Sequence, residues 1–173
     1  LDAIKQAAKT DNATESKPTV NDYAQADGPG KPGVTGVDEG NLAAINSALN
    51  TAGVGEAQTS TVPLVQALVD AYNKVLAAAD GQDDNDAKLS KDDYRLLGLN
   101  GIDSAQQAAL LGDAIDVKAK ADVDSVGELQ KLADAAATVL AAAGQGPAPT
   151  LEQLQALGLT GLGLEGRGRR RGR

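Results

Sequence analysis

Apolar residues recur every three or four positions in an eighteen-residue stretch that the chain contains twice. The first copy, VPLVQALVDAYNKVLAAA, begins at Val62, and the second, VGELQKLADAAATVLAAA, begins at Val126, with ten of the eighteen positions identical. This spacing predicts a long amphipathic helix that buries one face in a core. The return of the stretch at Val126 predicts a tandem repeat. The apolar stripe of the first copy consists of Val62, Val65, Leu68, Val69, Tyr72, Val75, Leu76 and Ala79.

Shorter segments recur in the same order. A Gly-x-x-Gly turn begins at Gly33, Gly98 and Gly158. Before each turn, a hydroxyl side chain stands three residues ahead of an acidic or amide side chain, a spacing that forms a capping box at a helix N-terminus. The pairs are Thr19 with Asp22, Ser90 with Asp93, and Thr150 with Gln153. A short helix is therefore predicted before every turn, anchored in the core by the residue that follows the acid or amide: Tyr23, Tyr94 or Leu154.

These patterns predict an all-α chain built from tandem three-helix-bundle repeats of about 64 residues. A first helix, capped by Asp38 or Asp103, precedes the long helix and the short one. The predicted helices are Asp38–Asn50, Thr61–Asp80, Ser90–Leu97, Asp103–Ile115, Ser125–Ala143 and Thr150–Leu157. The predicted division is the end of a preceding repeat plus linker over 1–32, complete repeats over 33–97 and 98–157, and the start of a further repeat with a basic tail over 158–173.

The composition argues against an enzyme. The chain contains no Cys, His, Met, Trp or Phe, so its core must consist of Ala, Leu, Val and Ile with three tyrosines. Without His or Cys, neither a Ser-His-Asp triad nor a Cys-His pair can form. No apolar run is long enough to cross a membrane, and membrane insertion is not expected. The missing initiator Met indicates a fragment.

Charge is distributed unevenly. The net charge is −8, but the last seven residues include five Arg, so the rest of the chain carries 11 basic against 24 acidic residues. An acidic body repels nucleic acid and anionic lipid, and no nucleic-acid partner is expected. The tail, RGRRRGR, has the composition of a phosphate-binding segment. It interrupts the repeat and has no aromatic residue for stacking, so a vector-derived or mistranslated end is the simpler interpretation.

One loop is a candidate metal site. The segment DGQDDNDAKLSKDDY begins at Asp80 and matches a helix-flanked calcium loop when Asp93 takes the twelfth position. Calcium prefers six to eight oxygen ligands, which alternate residues of a tight loop can supply. The candidate calcium ligands are Gln82, Asp84, Asp86, the carbonyl of Lys88, Ser90 and Asp93.

The same loop has a simpler interpretation. The first position is a neutral Gln82, and the sixth, where Gly normally permits the sharp turn, is Ala87. An acidic, solvated connector in which Ser90 and Asp93 only cap a helix explains the pattern with fewer departures. Calcium is therefore the candidate cofactor, and helix capping is the alternative role of these residues.

Over residues 1–162 the chain resembles the helical tandem repeats of large secreted surface proteins of Gram-negative bacteria, the biofilm-associated and RTX-type adhesins. The resemblance lies in the segments PTVNDYAQ, GVTGVDEGNLAAINSAL, VPLVQALVDAYNKVLAAADG, KDDYRLLGLNGI, SVGELQKLADAAATVLAAA and APTLEQLQALGLTGL. It implies an extracellular, non-enzymatic spacer that contributes to cell-surface or biofilm adhesion, with neighbouring repeats as its partners. Many such repeats bind calcium, which would give the acidic loop a purpose.

A host-protein-binding module is the alternative function. Small three-helix units on bacterial surfaces can present a flat contact patch formed by two helices. Such a patch would need apolar residues of the first helix to face solvent, whereas their spacing favours burial against the long helix. These residues are Leu42, Ile45 and Leu49 in one repeat, and Leu110, Leu111 and Ile115 in the other.

Overall fold

The computed structural model describes residues 1–10, 17–82, 89–144 and 146–159, without the side chain of Thr10. Over these ranges every regular element is helical, which confirms the all-α prediction, and extended pairing is limited to an isolated antiparallel bridge between Asp80 and Ala119. The helices are α1 (Asp2–Thr10), α2 (Val20–Ala24), α3 (Leu42–Leu49), α4 (Val62–Ala78), α5 (Lys91–Leu96), α6 (Ala105–Asp116), α7 (Val126–Ala143) and α8 (Leu151–Ala156), with a short 3₁₀ helix at Lys120–Asp122.

The long helices begin where local chemistry favours a start. The Thr61 hydroxyl accepts a hydrogen bond from the amide of Leu64 at 3.4 Å, and Pro63 occupies the first turn of α4, where its missing amide is not needed. The Ser125 hydroxyl caps α7 by accepting from the amide of Glu128. α7 ends at Gly144. The two eighteen-residue copies therefore form the two longest helices, as their periodicity predicts.

The first helices begin later than predicted. The carboxylate of Asp38 accepts hydrogen bonds from the amides of Gly40 and Asn41 at 2.8 and 3.1 Å, so it stabilises a turn, and α3 starts only at Leu42. In the second repeat Ser104, not Asp103, caps α6. The predicted N-cap roles of Asp38 and Asp103 are therefore wrong, because the carboxylate of Asp38 closes a turn ahead of its helix and a hydroxyl stands one residue after Asp103.

One hydrophobic core extends along the described chain from Ile4 to Ala133. α3 packs against α1, α4 and α7, and α4 packs against α5 and α6. The core is therefore continuous across the predicted repeat boundaries at 32/33 and 97/98. Helices α6 and α7, which follow the predicted boundary at 97/98, cover apolar surface of α3 and α4, which precede it.

The three tyrosines are fully buried, as predicted for Tyr23 and Tyr94 as core anchors. Burial, reinforced by neighbouring carboxylates, raises the pKa of all three phenols well above the ordinary value. Their hydroxyls have different surroundings. That of Tyr23 donates to Oδ1 of buried Asn46 at 2.8 Å, whereas that of Tyr94 has no hydrogen-bond partner among the described residues.

We expect the substitutions Tyr23→Phe and Tyr94→Phe to have different effects on stability. Tyr23→Phe leaves Oδ1 of Asn46 buried without its donor and should lower the free energy of unfolding by about 1–2 kcal/mol. Tyr94→Phe removes a hydroxyl that has no partner among the described residues and should be neutral or stabilising. Urea denaturation of both variants measures the difference. Equal losses would contradict the described hydrogen bonding.

Candidate metal loop and repeat junctions

The candidate calcium ligands are only partly within the described residues. Asp84, Asp86 and Lys88 lie outside them. Gln82 turns back on Asp80, whose carboxylate accepts hydrogen bonds from the backbone amide of Gln82 at 2.9 Å and from its side-chain amide at 3.1 Å. Over the described ranges, no group of three or more acidic, His or Cys side chains is placed to hold a metal ion. The calcium loop stays a prediction.

Asp93, the predicted twelfth ligand, is already engaged by three donors. Its Oδ2 accepts from the amide and the hydroxyl of Ser90 at 2.8 and 2.7 Å, and its Oδ1 accepts from Nζ of Lys74 at 2.7 Å. Burial is the largest single influence and raises the pKa of Asp93, but the hydrogen bonds from Lys74 and Ser90 together outweigh it, so the net pKa is lowered. A cation bound bidentately here would have to displace Lys74.

The same cap begins the other two short helices. Oδ2 of Asp22 accepts from the amide and the hydroxyl of Thr19 at 2.8 and 2.7 Å. Hydrogen bonds from the Thr19 side chain and backbone lower the pKa of Asp22. In α8 the side chain of Gln153 accepts from the amide of Thr150 at 2.8 Å. The predicted capping boxes are confirmed in all three copies, and only that of Asp93 has a lysine partner in the described structure.

Asp22→Ala and Asp93→Ala form a matched pair for measuring what Lys74 adds. Each removes a capping carboxylate and should cost about 1 kcal/mol at neutral pH. Asp93→Ala should cost a few tenths of a kcal/mol more, because it also removes the ion pair with Lys74. Both carboxyls have lowered pKa values, so their contribution is present above the ordinary carboxyl pKa and is lost as the pH falls through the folded-state value.

Denaturant unfolding at neutral and strongly acidic pH tests this pair. We expect each variant to approach the unsubstituted protein in stability on acidification. An acid-independent loss, or a greater loss for Asp22→Ala, would contradict the proposed electrostatic contribution.

Thermal melting with and without calcium tests the predicted metal loop. If the loop binds calcium, the cation should raise the melting temperature of the unsubstituted protein, and the triple variant Asp84→Ala, Asp86→Ala, Asp93→Ala should lose this rise. The control is Asp22→Ala, which removes a matched cap from another loop and should keep the response. Melting that calcium leaves unchanged refutes the site.

A glutamine in each long helix holds the preceding Gly-x-x-Gly turn. Oε1 of Gln66 accepts from the amide of Thr35 at 2.8 Å, and Nε2 donates to the Thr35 carbonyl at 3.1 Å and to Asp70 at 2.8 Å. We call this arrangement the glutamine clamp. Sequence reasoning did not single it out, although Gln66 and Asp70 are identical in both copies of the long helix.

The second repeat contains the same clamp. Oε1 of Gln130 accepts from the amide of Asn100 at 3.0 Å, and Nε2 donates to the Asn100 carbonyl at 3.1 Å and to Asp134 at 2.7 Å. Gln66 and Gln130 occupy the same position in the two copies of the long helix. All three hydrogen bonds therefore recur between equivalent positions.

The turns also close the short helices in a repeated way. The amide of Leu99 donates to the Tyr94 carbonyl at 3.2 Å, and that of Leu159 donates to the Leu154 carbonyl at 3.1 Å. Gly98 and Gly158 supply the required positive φ of 80° and 86°. These Schellman motifs end α5 and α8.

A third set of contacts, the α3–α7 junction, joins one predicted repeat to the next. The Ser47 hydroxyl in α3 accepts from the amide of Val126, the first residue of α7, at 2.9 Å. The Tyr72 hydroxyl in α4 donates to the carbonyl of Val123 at 3.2 Å. Both bonds orient the start of α7 against helices of the preceding unit.

No protein-family model matches the chain, and no curated protein or solved structure is significantly similar to it. Among the helices of the described ranges, none has the length and apolar character needed to cross a lipid bilayer.

Proposed function

We propose that this chain is a structural spacer made of tandem three-helix repeats of about 64 residues. The glutamine clamp is the observation that best supports the repeat, because the same side-chain and backbone atoms are bonded in both units. The same local geometry at equivalent positions is expected when each unit is one copy of a supersecondary structure.

Stacking supports the spacer role. The continuous core and the α3–α7 junction tie successive units together, so bending between units would expose apolar surface and break buried hydrogen bonds. An array stabilised by nearest-neighbour contacts can hold its two ends at a defined separation. The net charge of −8 favours solubility and opposes association of one array with another.

The resemblance to surface adhesins supplies the proposed setting. In that setting the repeats are secreted, stand at the bacterial cell surface and extend an adhesive tip in cell or biofilm adhesion. Their immediate partners are neighbouring repeats of the same chain, and a surface or host protein is the expected partner of the tip. Calcium would stiffen the array if the acidic loop binds it.

The alternative, a host-protein-binding module, has less support. Its contact patch would need the apolar residues of the first helices in solvent, but four of the six are fully buried and the other two are half-buried. The buried residues are Ile45, Leu49, Leu111 and Ile115, and the half-buried ones are Leu42 and Leu110.

Gln66→Ala and Gln130→Ala test the repeat. Each should lower the free energy of unfolding by about 1 kcal/mol, because turn amides lose their acceptor, and the two losses should be similar. The control is Gln155→Ala on the exposed surface of α8, which should stay within about 0.5 kcal/mol of the unsubstituted protein. Urea denaturation measures all three. Clearly unequal losses at the two clamps would count against equivalent repeats.

Bead attachment separates the two proposed functions. Beads coated with the protein alone are compared with beads on which it carries a ligand at its free end. A spacer increases the number of beads that are captured only when the beads carry the ligand. Attachment of the protein alone to surfaces coated with host proteins would favour the binding module.

A further inference from the structure

The last described repeat ends in a surface that its predecessor does not expose. An open cavity of about 370 Å³ lies between α6 and the turn that follows α8. We call this surface the end face. Val117 and Leu159 are its most exposed apolar residues, with 39% and 49% of their surfaces in solvent. The end face consists of Leu110, Asp113, Ala114, Val117, Leu157 and Leu159.

The first repeat shows what covers the corresponding surface. Leu97 and Leu99, the counterparts of Leu157 and Leu159, are only 0% and 6% exposed. In that unit α3 packs against α7, which follows it in the chain, and the Ser47 hydroxyl of α3 accepts a hydrogen bond from the amide of Val126. An apolar surface that is buried in one unit and open in the next indicates a position for another unit.

The neighbours of two equivalent glycines, Gly98 and Gly158, show which residues near the ends of α3 and α6 correspond. A side chain on Gly98 would collide with Thr51, and a side chain on Gly158 would lie 3.3 Å from Val117. Thr51 and Val117 therefore occupy equivalent positions. Asp113 precedes Val117 by the same interval at which Ser47 precedes Thr51. Asp113 in α6 therefore corresponds to Ser47 in α3. The Ser47 hydroxyl accepts a hydrogen bond from the amide of Val126.

We propose that the end face docks the N-terminal end of a long helix from a further repeat of this kind, with Asp113 accepting amides of its first turn. This inference rests on the proposed function. A carboxylate suits such a position, because free amide groups and the helix dipole make a helix N-terminus electropositive. Val117, Leu157 and Leu159 would be covered by apolar residues ahead of the helix and in its first turn.

An intact second copy of the chain is a poorer occupant. Its α4 could offer a suitable N-terminus, but α4 is preceded by α1 and α2, which correspond to the end of α7 and to α8. If α4 of the second molecule took the position of the docked long helix, its α1 and α2 would have to occupy the space already filled by α7 and α8 of the first molecule. The docked unit must therefore lack these preceding helices, as a unit joined directly to the end of α8 would.

An extended protein tests the inference. In it, a second copy of residues 98–157 replaces residues 158–173, so that a new long helix can reach the original end face. We expect hydrogen exchange at Val117 to slow at least tenfold relative to the natural chain. Asp113→Ala in the original α6 should lower the melting temperature of the extended protein by several degrees and leave that of the natural chain nearly unchanged. Asp103→Ala, also exposed but outside the end face, is the control.

Three results would overturn the proposal. The first is unchanged exchange at Val117 in the extended protein, or an equal effect of Asp113→Ala in both proteins. The second is faster exchange at Val117 after removal of residues 160–173 from the natural chain, which would make that segment the occupant. The third is protection that rises with the concentration of the natural chain, which would indicate self-association. If the two glutamine-clamp variants still behave alike, the repeat proposal survives a failure of the docking proposal.

Discussion

Apolar contact between each long helix and the helices on either side of it holds this fold together. The chain contains only 2% aromatic residues, so a single helix pair can bury little apolar surface. α4 has neighbours from both units, and Val65, Leu68 and Val75 along its length are buried. Within the described residues, α8 is the last helix to follow α7, and Val139 and Leu140 near the end of α7 are half-buried. Burial is therefore a property of the stack rather than of the isolated unit.

Polar contacts set the geometry within which these helices stack. Each short helix starts with a side-chain cap, and α5 and α8 end in a Schellman turn whose glycine has positive φ, so their terminal amides and carbonyls find partners. A glutamine from the long helix then binds the turn itself. Because these bonds involve backbone atoms, they tolerate substitution of the turn residues, and Thr35 and Asn100 can differ while the clamp is unchanged.

Acidic residues serve two kinds of role in the described structure. Asp22 and Asp93 are structural, since their carboxylates bind helix amides and their pKa values are lowered accordingly. Asp113 is exposed at the end face and has Ser47 as its counterpart in the preceding unit. In the docking proposed above, the Asp113 carboxylate would accept amides of a helix N-terminus.

The sequence alone determined the helices, because periodicity, capping pairs and glycines act within a few residues of one another. The six helices whose bounds it predicted lie within four residues of those bounds at either end, and it predicted the burial of Tyr23 and Tyr94. Only the tertiary structure decided that Gln66 and Gln130 clamp the turns and that Lys74 occupies the Asp93 carboxylate. These outcomes depend on atoms from segments that packing brings together. The periodicity of one segment carries no information about its contacts with another.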